Sequence, residues 1–163
     1  MLVSTFTLGD LYLGIDIILV REINRSLECT PVPGAPEYIR GMLNIRGRVI
    51  TLFDLRRRLG WNTQDENGAA PKKQYNVILK TRPEVLELNR KVGEAKCFWQ
   101  DPVGLVVDQL GDVRDIVDDS ILHPPANLKG ISASFVEGVV EFEKNLLVIL
   151  DVASVLGVDP KAA

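Results

Sequence analysis

The side chains able to do covalent or acid–base chemistry are few and badly placed for it. His123 is the only histidine, and it is followed by Pro124-Pro125. A general base needs a histidine oriented by a second group, and a lone histidine before two prolines reads as a solvated loop residue. Neither Cys29 nor Cys97 sits in a nucleophile signature. Cys97 precedes Phe98-Trp99 and is expected to pack as a small hydrophobe. The carboxylates Asp108, Asp112, Asp115, Asp118 and Asp119 lack the alternating spacing and central glycine of a calcium loop, so a solvated acidic edge is expected and no metal. No phosphate-binding glycine loop opens a helix. The expectation is a protein that is not an enzyme and carries no cofactor.

Recognition chemistry remains. Arg56-Arg57-Arg58, with Arg46 and Arg48 nearby, is the one basic cluster and could meet phosphate or an acidic protein. No aromatic residues interleave to stack on bases, so a solvated helix face is the simpler reading. Thr30-Pro31-Val32-Pro33-Gly34-Ala35-Pro36 cannot be a central strand, and reads as a rigid connector rather than a ligand for a proline-binding domain. Glu22 and Arg46 stand close to apolar residues, in Val20-Arg21-Glu22-Ile23 and Leu43-Asn44-Ile45-Arg46-Gly47. Paired at the edge of a barrel, they would order the adjoining turn or present a polar anchor beside an apolar patch; two unpaired surface charges are the alternative.

The elements that must position these residues are mostly strands. Thr5–Leu8, Tyr12–Ile17, Gly47–Phe53 and Leu146–Leu150 are short, rich in Val, Ile, Leu and Phe, and bounded by Gly or Asp. Two short helices are predicted, Asp54–Leu59 before Gly60 and Asp151–Leu156 before Gly157, each with an acidic cap and a terminal glycine. Asn62–Lys73 reads as a mobile loop. Arg82–Lys96, with seven charges, reads as a second loop or a short exposed helix.

The two capped helices belong to an internal repeat. Gly41, Asp54, Leu59 and Gly60 recur as Gly138, Asp151, Leu156 and Gly157 at one constant offset. Gly14-Ile15 and Glu22-Ile23 recur as Gly104-Leu105 and Asp112-Val113 at a second. Two small β-barrels of similar topology, packed as one unit, follow from this. The copies diverge where Arg46-Gly47 becomes Glu143-Lys144, which marks a specialised surface.

Length and charge set the outer bounds. The chain has 163 residues, 46% hydrophobic, with 19 basic against 22 acidic residues and a net charge of −3. That fits one domain or two very small ones, with no need of disulfides or metal to fold. No run nears the roughly 20 apolar residues that span a bilayer, and the cysteine usage favours a reducing compartment, so a cytoplasmic protein, mature as written, is expected. Residues 98–163 hold 11 acidic against four basic residues, while the rest is mildly basic. An acidic part weighs against nucleic-acid binding and for a surface with two differently charged ends.

Phe6-Thr7-Leu8-Gly9, Gly14-Ile15-Asp16-Ile17, Val20-Arg21-Glu22-Ile23, Pro33-Gly34-Ala35-Pro36, the run from Arg40 to Ile50 and Phe53-Asp54-Leu55-Arg56 resemble the CheW family of chemotaxis coupling proteins. Val103–Asp108 and Leu146–Asp151 continue the resemblance over nearly the whole chain. It departs at Thr51, where the family pattern usually has proline, and loosens from Asn62 to Trp99, where the connection is longer. The resemblance implies a mainly β fold of two SH3-like five-stranded barrels in a pseudo-twofold arrangement with short helices. The first barrel would come mainly from 10–61 and the second mainly from 75–150. It implies a non-enzymatic adaptor linking the cytoplasmic tip of chemoreceptors to the regulatory domain of a CheA-type histidine kinase, recruited to receptor arrays at the inner membrane. Val20, Glu22, Gly41, Arg46 and Gly47 fall at positions tied in the family to receptor or kinase coupling. Gly41 recurs in the second copy, so a turn requirement explains it equally well; Arg46 and Gly47 do not recur. The alternative is a small-barrel nucleic-acid-binding protein using Arg46, Arg48 and Arg56 to Arg58.

Overall fold

The computed structural model describes residues 1–25, 28–61, 73–142 and 144–158. The loop expected at Asn62–Lys73 lies, apart from Lys73, outside the described residues, as does Glu143 of the second copy. The described chain runs β1 (Leu2–Leu8), β2 (Leu11–Asp16), β3 (Val20–Arg25), β4 (Ile39–Ile45), β5 (Arg48–Asp54), α1 (Leu55–Leu59), β6 (Tyr75–Leu79), α2 (Arg82–Leu88), α3 (Arg90–Lys96), β7 (Val103–Val107), β8 (Gln109–Asp115), β9 (Asn127–Leu128), β10 (Ile131–Ser132), β11 (Val136–Phe142), β12 (Asn145–Leu150) and α4 (Val152–Leu156).

The strands form two five-stranded sheets, ordered β3-β6-β7-β5-β4 and β11-β12-β2-β1-β8, with β9 and β10 as a separate short pair. The mainly β, two-barrel fold class is borne out. The strands are also exchanged between the two copies. The first sheet draws on residues 20–54 and 75–107, the second on 2–16 and 109–150, so each takes three strands from the stretch expected to supply most of it, 10–61 or 75–150, and two from outside it. Each copy of the repeat gives two strands to one sheet and three to the other. The cause is the length of the connectors. Asp108 alone separates β7 from β8, and a hairpin needs at least two loop residues, so the chain must pass on to the other sheet. A three-residue 3₁₀ turn, Ile17–Leu19, carries β2 across to β3 in the same way.

The register preserves the repeat. The parallel pairing of β5 with β7 sets Leu52 beside Gly104, and that of β12 with β2 sets Ile149 beside Gly14, the same positions in each copy. Both helix caps recur. The carboxylates of Asp54 and Asp151 accept from the Arg57 and Ser154 amides at 3.2 Å, and Gly60 and Gly157 close the helices in the left-handed region.

The largest core lies between the sheets, where Phe6, Leu13, Leu79, Leu105 and Val148 are buried together. Each barrel has its own smaller interior: Leu43, Ile50, Leu52, Ile78 and Val106 in one, Val3, Val140, Leu147 and Ile149 in the other. Central strands are therefore covered on both faces and read as unbroken apolar runs, as in Val103–Val107, while the edge strand β8 is exposed throughout.

Arg82–Lys96 is two helices, not a loop or one exposed helix. Thr81 and Glu84 cap the first, Pro83 fits its first turn, and Val85 and Gly93 are buried. The Arg82 guanidinium donates to the Cys97 carbonyl at 2.6 Å and the Gly93 carbonyl at 3.3 Å, pinning the start of α2 to the end of α3.

Candidate functional site

Strands β4 and β5 are joined by two residues, Arg46 and Gly47, between the paired Ile45 and Arg48. Both loop residues have positive φ, 51° and 81°, the geometry whose twist matches a hairpin. Glycine adopts it freely, whereas for arginine it costs about 1 kcal/mol. Asn44 stabilises the turn by accepting the Gly47 amide on its side-chain oxygen at 3.0 Å. The Arg46 side chain is 76% exposed and reaches the Glu22 carboxylate at 2.9 Å. Glu22 stands on β3 and Arg46 directly follows β4, the two edge strands of the sheet. The ion pair therefore spans the barrel mouth.

Beside it runs a groove with an apolar floor of Ile45, Ile50, Ile78, Leu79 and Pro102, rimmed by Arg21, Glu22, Arg46 and Arg48. The Glu84 carboxylate, from α2, accepts Arg21 at 3.1 Å and Arg48 at 3.3 Å.

Of the five expected coupling residues, the structure brings Glu22, Arg46 and Gly47 together. Val20 is half-buried, pairs with Leu79 and packs against the main core. Gly41 is buried under the proline-rich connector, where a Cβ would lie 2.5 Å from the Thr30 carbonyl oxygen. Its absence lets Thr30 and Met42 exchange backbone hydrogen bonds at 2.9 and 2.8 Å. Gly138 does the same for Leu122 and Val139, with bonds of 2.8 and 3.0 Å. Sequence reasoning passed over Arg21 and Glu84 as site residues and counted Arg48 only within the basic cluster. The alternation of β3 offered a signal for the first; nothing in the spacing offered one for Glu84.

The arginine cluster is not a solvated helix face. Arg56 bonds to Asp108, which also accepts the Gly9 amide at 2.9 Å. Arg58 lies between the rings of Tyr38 and Phe135 and donates to the Val155 carbonyl at 2.5 Å. Only Arg57 of the three is largely exposed. Arg56 and Arg58 are thus committed to interior contacts, which removes the continuous basic face a nucleic acid would track. Asp108 is likewise buried, in contrast to Asp112, Asp115, Asp118 and Asp119 on the acidic edge. His123 is exposed and Cys97 is buried, its thiol pushed up to about 11 by desolvation. Among the described residues no three His, Cys, Asp or Glu side chains are grouped to hold a metal.

The CheW-like domain model matches residues 3–159. The chain belongs to the CheW family. The chemotaxis protein CheW of Rhizobium meliloti (strain 1021) is 28% identical over 158 residues, covering 97% of this chain and 88% of that protein. CheW of Treponema pallidum (strain Nichols) is 27% identical, covering 91% and 77%. The crystal structure of the scaffolding protein TtCheW from Thermoanaerobacter tengcongensis superposes with a TM-score of 0.75 at 26% identity, covering 98% of this chain and 89% of that one. The two five-stranded sheets are thus the two SH3-like barrels of the CheW fold, and chemotaxis is the setting its relatives are named for. No helix among the described residues is long and apolar enough to cross a membrane.

Proposed function

We propose that this CheW-family chain is a non-enzymatic, cytoplasmic adaptor that couples the cytoplasmic tip of a chemoreceptor to the regulatory domain of a CheA-type histidine kinase at receptor arrays on the inner membrane. The observation that carries the reading is the Arg46–Glu22 pair at 2.9 Å across the barrel mouth. An arginine held at positive φ at a hairpin tip is a local strain that the fold does not need, since glycine would serve the turn better, and such strain marks functional positions. Its guanidinium stays largely in water, available to a partner, while Glu22 fixes its direction.

The groove beside the pair supplies apolar area for a helical tip, and the charged rim supplies orientation. Val20 and Gly41 act on this surface from behind, Val20 through strand β3 and Gly41 through the connector that supports β4. The acidic edge of β8 gives the far barrel a different electrostatic character, so two unlike partners can be told apart by charge.

The test is co-purification of the chain with a receptor tip and the kinase regulatory domain, scored as a ternary complex. Arg46→Glu should fold with an unchanged melting temperature and lose the ternary complex. A complex retained at wild-type yield would remove the assignment of this site.

A further inference from the structure

The α2–α3 hairpin is an addition to one copy of the repeat. In the first copy β1 turns directly into β2 through Gly9 and Asp10, whereas in the second Leu79 and Val103 are separated by two helices. What the added hairpin delivers to the groove is one carboxylate oxygen. Oε1 of Glu84 accepts from Arg21 at 3.1 Å, Arg48 at 3.3 Å, the Thr81 hydroxyl at 3.0 Å and the Thr81 amide at 3.4 Å. All three charged partners are about one-third exposed, so the cluster sits at the surface, on the rim.

Two arginines converging on one carboxylate oxygen make an anion site, and here the anion is supplied by the chain itself. The groove's own rim, Arg21, Arg46 and Arg48 against Glu22, carries +2 (three minus one). Glu84 lowers that to +1. We propose that Glu84 is a built-in occupant of this rim anion site, and that through it the α2–α3 hairpin weakens the groove's pull on acidic segments and so biases which partners it admits. An incoming carboxylate must displace Glu84 or meet its repulsion, while an apolar or neutral segment meets neither. The inference rests on the groove being the coupling surface for its biological meaning, yet its electrostatic core can be tested without either partner.

The probe is a short oligoglutamate peptide, titrated against the full chain at low salt. Glu84→Gln keeps an acceptor for Thr81 and so keeps the helix cap. It should bind the peptide about three- to tenfold more tightly than wild type, with the gain lost as salt is raised. Glu84→Gln combined with Arg48→Gln should return to the wild-type affinity, which a merely structural role for Glu84 would not produce. Equal affinity of wild type and Glu84→Gln overturns the proposal, and so does a gain that survives the second substitution. Loss of the ternary complex assignment through Arg46→Glu would leave this result untouched, so the two readings fail separately.

Discussion

Cys97 shows how one buried group ties stability to pH. It is fully buried, follows the α2–α3 hairpin and lies in the main core beside Trp99, whose indole N–H donates to the Lys80 carbonyl at 2.7 Å. Burial raises its thiol from an ordinary 9.0 to about 11. Below pH 9 the thiol is neutral in both folded and unfolded chains and contributes no pH dependence. Between pH 9 and 11 the unfolded chain loses the proton and the folded chain keeps it, so stability falls by about 2 kcal/mol across that window. Lys96 acts later. Burial works to lower its ammonium, but Glu137 and Asp16 outweigh this and raise it above 10.5, so its contribution holds at lower pH and goes only beyond that value. Urea unfolding measured at pH 8, 9 and 10 should therefore show a decline that Cys97→Val abolishes. A decline of the same slope in that variant would assign it elsewhere.

At the scale of elements, two glycine-dependent devices make opposite predictions. Gly41 permits a close backbone approach, so Gly41→Ala should destabilise by about 2 kcal/mol and weaken coupling only in proportion to the fold lost. Arg46 occupies a backbone region that suits glycine, so Arg46→Gly should stabilise by about 0.5–1 kcal/mol while coupling is lost. Chemical denaturation read beside ternary-complex yield separates the two; coupling retained by Arg46→Gly would mean the turn, not its side chain, is what partners recognise. The hairpin was legible in part. Glu22 and Arg46 stood out because charged residues interrupted apolar runs, and their pairing follows once β3 and β4 are the two edges of one sheet. Glu84 was not legible, because its partners lie 63 and 36 residues away and its own segment shows more charge than periodicity. Arg56 and Arg58 misled for the same reason. A run of three arginines looks solvated until Asp108, Tyr38 and Phe135 are brought around it by the fold.

The whole molecule should unfold as one body, because neither barrel can be assembled from one copy of the repeat. The offsets in the sequence revealed two similar halves but not which strands pair, since similarity carries no information on partnership. That information resides in connector length, and Asp108 as a single residue between β7 and β8 was the signal. Arg58 reinforces the join. Tyr38 and Phe135, equivalent positions of the two copies, enclose its guanidinium at 4.6 and 5.1 Å, and it donates to the end of α4 from α1. Calorimetry should show one transition for the wild type. Arg58→Ala should lower that transition by about 2 kcal/mol without splitting it; two separate transitions would mean that the barrels unfold independently.

The exchange of strands has a consequence for symmetry. Unfused, two identical copies interleaved in this way would be a twofold dimer, obliged to present every surface patch twice. Joining them in one chain lifts that obligation. One hairpin tip can then carry Arg46-Gly47 where the other copy of the sequence has Glu143-Lys144, and one inter-strand turn can grow into a helical hairpin while the other stays at two residues. The molecule gains a direction, a front distinct from a back, from that broken equivalence, as the proposed coupling of two unlike partners requires.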